Sequence, residues 1–238
     1  MRSWVHFLPI ATTLLASVFS VVLFRRWRTR GGSHLLWWGI GALTFAAGTI
    51  TESLTTVFGW HEWLFRAWYI TGALLGGAPL AQGSVYLHLS RRTADVLTVA
   101  LLTAIVVASG CVLLSPIDPA RIEPYRLSGA VLQWQWVRRF SPFLNVYAFL
   151  FLVGGAVLSA VRYARSRETW RRCVGNVYIA IGALLPGIGG TFTRMGYVEV
   201  LYVTELVGLA LIVVGYRYNT TRAASVRALP LTGAASAD

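Results

Sequence analysis

Three ionisable side chains, Glu52, Arg66 and Glu205, stand inside otherwise apolar runs of the sequence. Charge in such a run is costly, so these groups are expected to face the interior of a helix bundle and to pair. At 1.5 Å of rise per residue, Glu52 lies about 9 Å, Arg66 about 5 Å and Glu205 about 10 Å from the outer end of its run. Glu199, Arg194 and His61 stand above them at the rim. Helical spacing says where each points. Gly41, Phe45 and Gly48 share a face with Glu52, Tyr69 and Ala73 share one with Arg66, and Tyr202 and Gly208 flank Glu205 three residues to either side. A carboxylate and guanidinium set at one depth can line an outward cavity that holds a ligand or a proton, or it can be a structural pair that fixes helix order. The candidate ligand-binding residues are Glu52, Arg66, Tyr69, Tyr202, Glu205, Glu199 and Arg194. Burial opposes the charge of Glu205 while a nearby arginine favours it, which makes Glu205 the residue expected to titrate.

Other chemistries find little support. All 21 basic residues are arginine, so Schiff-base catalysis and a phosphate-loop lysine are excluded. The four histidines are split, His6 and His61 toward the outer side and His34 and His88 toward the inner. A zinc hydrolase needs three or more ligands at one depth, so neither a metal, a cofactor nor an enzymatic activity is expected. Cys111 and Cys173 fall near opposite faces and are expected to stay unbridged. Asn145, Asn176 and Gln82 are expected to hydrogen-bond between helices.

The elements that must position these groups are membrane helices. The chain has 238 residues, 56% hydrophobic and 13% charged, against roughly 25% charged in a soluble domain. Seven apolar stretches of about 20 residues are present, at 4–24, 35–58, 63–89, 94–114, 143–161, 173–192 and 198–218. The first is followed, not preceded, by its arginine block RRWRTR, so it is an anchor and not a cleaved leader. Fourteen arginines fall on the face holding 25–30, 91–92, 162–172 and the C-terminal tail, and seven on the other. Positive loops stay cytoplasmic, which sets the N-terminus outside and the C-terminus inside. The net charge of +12 thus reflects topology and attraction to anionic lipid, and nucleic acid is not an expected partner. Tryptophans 4, 60, 63, 134 and 136 mark the outer edge and 27, 37, 38 and 170 the inner.

The predicted fold class is all-α, a seven-transmembrane-helix bundle over 1–218 with a disordered cytoplasmic tail over 219–238. The 25-residue outer loop 115–139 holds three prolines and an alternating segment, LQWQWV, suited to a hairpin strand or an interfacial anchor; a lid over the bundle is the less simple reading. Pro79 and Pro186 are expected to kink the third and sixth spans. A faint repeat links Ile40-Gly41-Ala42-Leu43 with Ile181-Gly182-Ala183-Leu184 and Tyr69-Ile70-Thr71 with Tyr202-Val203-Thr204. It would make spans 1–3 and 5–7 parallel units joined by span 4.

The run RRCVGNVYIAIGALLPGIGGTFTRMGYVEVLYVTELVGLALIVVGYRY (171–218), with WYITGALLGGAPLAQGSVYLHLSRR (68–92), resembles a group of uncharacterised seven-helix membrane proteins of high-GC bacteria. More distantly, the layout is similar to the seven-helix sensory region of some bacterial histidine kinases. Those sensors continue into a cytoplasmic catalytic domain, whereas 20 residues follow Tyr218. The resemblance implies a plasma-membrane sensor or receptor-like module for a small or lipophilic ligand from the outer side, signalling through a separate cytoplasmic or membrane partner. The alternatives are a small-solute or proton-coupled transporter and a structural subunit of a membrane complex.

Overall fold

The computed structural model describes residues 4–221, except for the side chain of Arg194. Each apolar stretch of the sequence is helical over most of its length. A 3-10 turn, Trp4–Phe7, leads into α1 (Leu8–Arg30), where Pro9 sits in the first turn and its missing N–H leaves no bond unmade. Gly31 and Gly32, both at positive φ, turn the chain into α2 (Ser33–Phe58).

The third stretch is broken. It runs as α3 (Glu62–Trp68), a π-helical turn (Tyr69–Leu74) and, after a turn at 75–77, α4 (Ala78–His88). Pro79 lacks an N–H and would clash with a preceding helical turn, so the helix restarts there instead of bending through. The Ser90 hydroxyl accepts from the Thr93 N–H and starts α5 (Arg91–Leu114). The fifth stretch is α6 (Phe140–Ala148), a second π-helical turn (Phe149–Val153) and α7 (Gly154–Tyr163). Then come α8 (Trp170–Arg194), which keeps Pro186 inside an unbroken helix, and α9 (Val198–Thr220). Helix α9 takes in the first two residues of the segment expected to be a tail; from 222 onward that segment lies outside the described residues.

Among the described residues, five helices are long and apolar enough to cross a membrane: Trp4–Arg30, Arg91–Leu114, Gln135–Tyr163, Arg167–Thr193 and Val198–Thr220. Helix α2 matches them in length at 26 residues, but its C-terminal part reads TITESLTT. The outward faces are apolar, with Leu14, Val18, Val96, Val99, Val106, Phe143 and Leu150 exposed, while Thr12, Ser20, Thr49, Gln82 and Ser141 are buried. Hydrocarbon outside and hydroxyls inside is the arrangement a lipid solvent selects.

Helices α1, α2 and α9 share one core of Ala16, Phe19, Leu23, Ala42, Leu209 and Tyr216. The α3–α4 unit packs on α2, the α6–α7 unit on α4 and α8, and α8 on α9, closing a ring with α1. Helix α5 lies outside that ring, against the α3–α4 unit.

The ring's tightest seam joins α8 to α9. Their glycines repeat every seven residues, at 175, 182 and 189 and at 208 and 215. A methyl at Gly182 would stand 2.5 Å from the Gly208 carbonyl oxygen, one at Gly208 2.6 Å from that of Gly182, and one at Gly215 would collide with the Gly175 oxygen. Small residues let the backbones meet, and a seven-residue period keeps the seam facing its partner along a left-handed pair. On α2, Gly41 and Gly48 meet Leu80 and Gly72 in the same way.

The loop 115–139, expected to lie outside, is folded into the bundle. Leu127, Val131, Leu132 and Val137 are buried with Phe65, Tyr69 and Val112 in the largest apolar cluster. Leu132 makes one isolated bridge to Ile117, and Gln135–Arg139 winds into a 3-10 turn, so the alternating segment is not a hairpin strand. Burial of Leu127, Val131, Leu132 and Val137 holds it against the bundle, with Trp134 and Trp136 stacked at 6.1 Å on its exposed side.

Candidate functional site

The glycine face of α2 takes Glu52 inward, as its spacing predicts: Gly41, Gly48 and Glu52 are all buried. Around it, the hydroxyls of α2 are satisfied mostly within their own helix. Thr51 donates to the Gly48 carbonyl at 2.6 Å, Ser53 to that of Thr49 at 2.9 Å and Thr55 to that of Thr51 at 2.9 Å. Thr49 also meets the Thr13 hydroxyl of α1 at 2.8 Å. The carboxyl of Glu52, 4% exposed, must find partners on other helices.

It finds two. The Trp68 indole N–H of α3 donates to Glu52 Oε1 at 2.9 Å, and the carboxyl of Glu205 from α9 lies within hydrogen-bonding reach. Glu205 is only partly buried as a residue, yet its Oε2, like that of Glu52, is shut away without a donor. Tyr202, one turn outward on α9 and 4% exposed, stands in the field of Glu52, Glu205, Glu199 and Arg126. Above it the His6 ring meets Tyr202 edge-on at 6.1 Å and reaches Glu199 at 3.7 Å. The loop 115–139 completes the roof. Arg126 donates to the Thr193 carbonyl at the end of α8 at 2.9 Å and to Glu123 at 3.0 Å, while the Trp60 backbone N–H donates to the Pro124 carbonyl at 2.7 Å.

Two residues of the candidate set belong elsewhere. Arg66 does not pair with Glu52. Its guanidinium is held by Glu62, four residues back, at 2.7 Å, and it donates to the carbonyls of Val112, of Leu113 at 3.0 Å and of Ser115 at 3.0 Å. The last carbonyls of α5 have no helical partner and carry the negative end of the helix dipole, so they draw the cation from the acid pair. Tyr69, on the same face, is buried beside Phe65 at 5.9 Å between rings. Arg194 closes α8, and its side chain lies outside the described residues.

Trp68 is the member that spacing arguments passed over. It stands as far after the turn at Trp60 as Glu52 stands before it, so hairpin register alone puts the two at one depth. A second polar group lies toward the other end of the bundle. Gln82 donates to Ala94 O at 3.1 Å and to the Thr98 hydroxyl at 2.7 Å, accepts from Tyr147, and connects through Thr98 to Tyr86 and Asp95. Asn176 meets Asn219 across α8 and α9 at 3.1 Å, whereas Asn145 lies exposed on α6. Cys111 and Cys173 are both free thiols.

The arrangement is thus an acid pair between α2 and α9, walled by an indole and a phenol, with His6 and Glu199 in contact beyond the phenol. No family model, curated protein or solved structure matches the chain.

Proposed function

We propose that the chain is a seven-span plasma-membrane sensor module, N-terminus outside, in which a small ligand from the outer side engages Glu52 and Glu205 and a separate cytoplasmic partner reads the change at the arginine loops. The observation that carries this reading is the pair of buried carboxyl oxygens without donors beneath Tyr202 and His6. A buried polar atom left unpaired on each of two facing helices is costly, and a ligand that supplies the missing donor favours one spacing of those helices over another. Support for the seven-span count comes from the helical path of all seven stretches, α2 and the α3–α4 unit being lined by their neighbours where they are polar or broken. The close seams of Gly41 and Gly48 with the α3–α4 unit, and of Gly182 and Gly189 with α9, support the two-unit repeat.

A carrier is the second reading, favoured by the break at 75–77 and the two π-helical turns, because interrupted helices at membrane depth line transport sites. The purified full chain in proteoliposomes separates the two, with protons, sodium and methylammonium as probes. A sensor gives little flux, but a probe added on the outer side changes amide exchange in the inner loops 25–30, 91–92 and 162–172, and Glu52→Gln with Glu205→Gln removes that change. Carboxyl-dependent flux favours the carrier. Inner loops indifferent to all three probes and to both substitutions overturn the sensor.

A further inference from the structure

We propose that the ligand of the Glu52–Glu205 site is a proton, taken up from outer water past His6 and Glu199 and held between the two carboxyls. This rests on the sensor reading for its consequence but not for its chemistry. Two facing carboxyls make a hydrogen bond only when one of them carries a proton; with both ionised they repel, at close range and away from water. The Oε2 atoms of Glu52 and Glu205 are buried and lack a donor, and the carboxyls are already close enough to be hydrogen-bond neighbours. The ligand that fits such a contact adds no volume. A metal ion needs more donors, and among the described residues no three His, Cys, Asp or Glu side chains gather to supply them.

The surroundings leave the pair without a neutralising cation. Trp68 on α3 donates to Glu52 Oε1 at 2.9 Å, which stabilises the ionised form without adding charge. The charged and titratable groups nearest the pair are Tyr202 and Glu199 on α9, His6 on the N-terminal turn and Arg126 on the outer loop. Arg126 is committed to Glu123 and the Thr193 carbonyl, and Arg66 to α5. Neither guanidinium neutralises the pair. His6, in ring contact with Tyr202, and Glu199, with side chains 19% and 46% exposed, stand between Tyr202 and the surface. Uptake is balanced: one proton leaves water, one carboxylate becomes a carboxylic acid, and the pair goes from two negative charges to one.

The test is infrared difference spectroscopy of the full chain in lipid nanodiscs across a pH titration. A protonated-carboxyl band that appears on acidification is expected, absent from Glu52→Gln and from Glu205→Gln. Both substitutions keep the shape and hydrogen bonds of a neutral acid, and thermal melting confirms that they fold. Trp68→Phe shifts the midpoint because the ionised form loses its donor, and His6→Gln slows the response to a pH jump without moving the midpoint. A band that survives in both glutamine variants, or never titrates, overturns the proposal; unchanged pH-jump kinetics removes His6 from the route. Inner loops that answer sodium or methylammonium without a titrating band leave the sensor standing and remove the proton. A titrating band with silent inner loops does the reverse.

Discussion

Arg66 shows how one side chain can be misassigned to a site and still matter to the fold. Its guanidinium closes the C-terminal end of α5 through the carbonyls of Val112, Leu113 and Ser115. Removing it leaves buried acceptors without a donor, for which charged hydrogen bonds set a scale of about 1.5–3 kcal/mol. Arg66→Ala is therefore expected to destabilise the protein by about 2–3 kcal/mol with no effect on the Glu52–Glu205 carboxyl band. Glu62→Ala, which removes the more exposed partner of the same ion pair, is expected to cost less than about 1 kcal/mol. Thermal melting in detergent measures both. An equal loss from the two variants would mean that the ion pair, and not the cap on α5, is what Arg66 contributes. The acid pair itself was half legible. Depth and the glycine face put Glu52 and Glu205 together, because both follow from helical period. Arg66 was mistaken for their partner because a helix face specifies a direction, not which neighbour fills it.

Among the elements, the α8–α9 seam makes a sharp contrast between glycines. Gly182 and Gly208 each face the other's carbonyl oxygen, and backbone cannot move aside as a side chain can. Gly182→Val or Gly208→Val is expected to cost about 3 kcal/mol or more, at the upper end of overpacking, and to separate the helices. Gly187 and Gly190, on α8 a turn away, face open space. Gly190→Ala is expected to be neutral or to stabilise by up to about 1 kcal/mol, since it narrows the unfolded ensemble at a helical position. Chemical denaturation of the series checks the ordering. The seven-residue glycine period of this seam is present in the sequence but legible only as part of a faint repeat, because spacing alone does not say which helix a glycine face meets; apolar length located the helices without fixing their ends. The break in the third stretch was written less clearly. Pro79 marks it, but a proline in an apolar run signals a kink, a restart or a π-helical turn alike, and only the packing of Gly72 on Gly48 chooses among them.

For the molecule as a whole, the proposed threading predicts that a reporter fused after Tyr218 is cytoplasmic and one inserted near Asp118 external. Both on one side would end the seven-span count. The role of the outer loop was not legible, since its alternating residues suit a membrane interface as well as a protein one; only the burial of Val131, Leu132 and Val137 distinguishes them. The ring closes where α9 meets α1, so its first and last helices are neighbours. That neighbourhood has a consequence in time. During synthesis α1 and α2 emerge early, and the core they share with Leu209 and Tyr216 stays open until the final helix is inserted. Glu52 waits just as long for Glu205. A nascent chain stopped before Val198 therefore presents a half-built core and a carboxyl without its facing partner, the kind of defect that membrane quality-control proteases recognise. In a pulse-chase experiment such a truncation should be degraded much faster than the full chain, and co-expressing α9 as a separate peptide should rescue it.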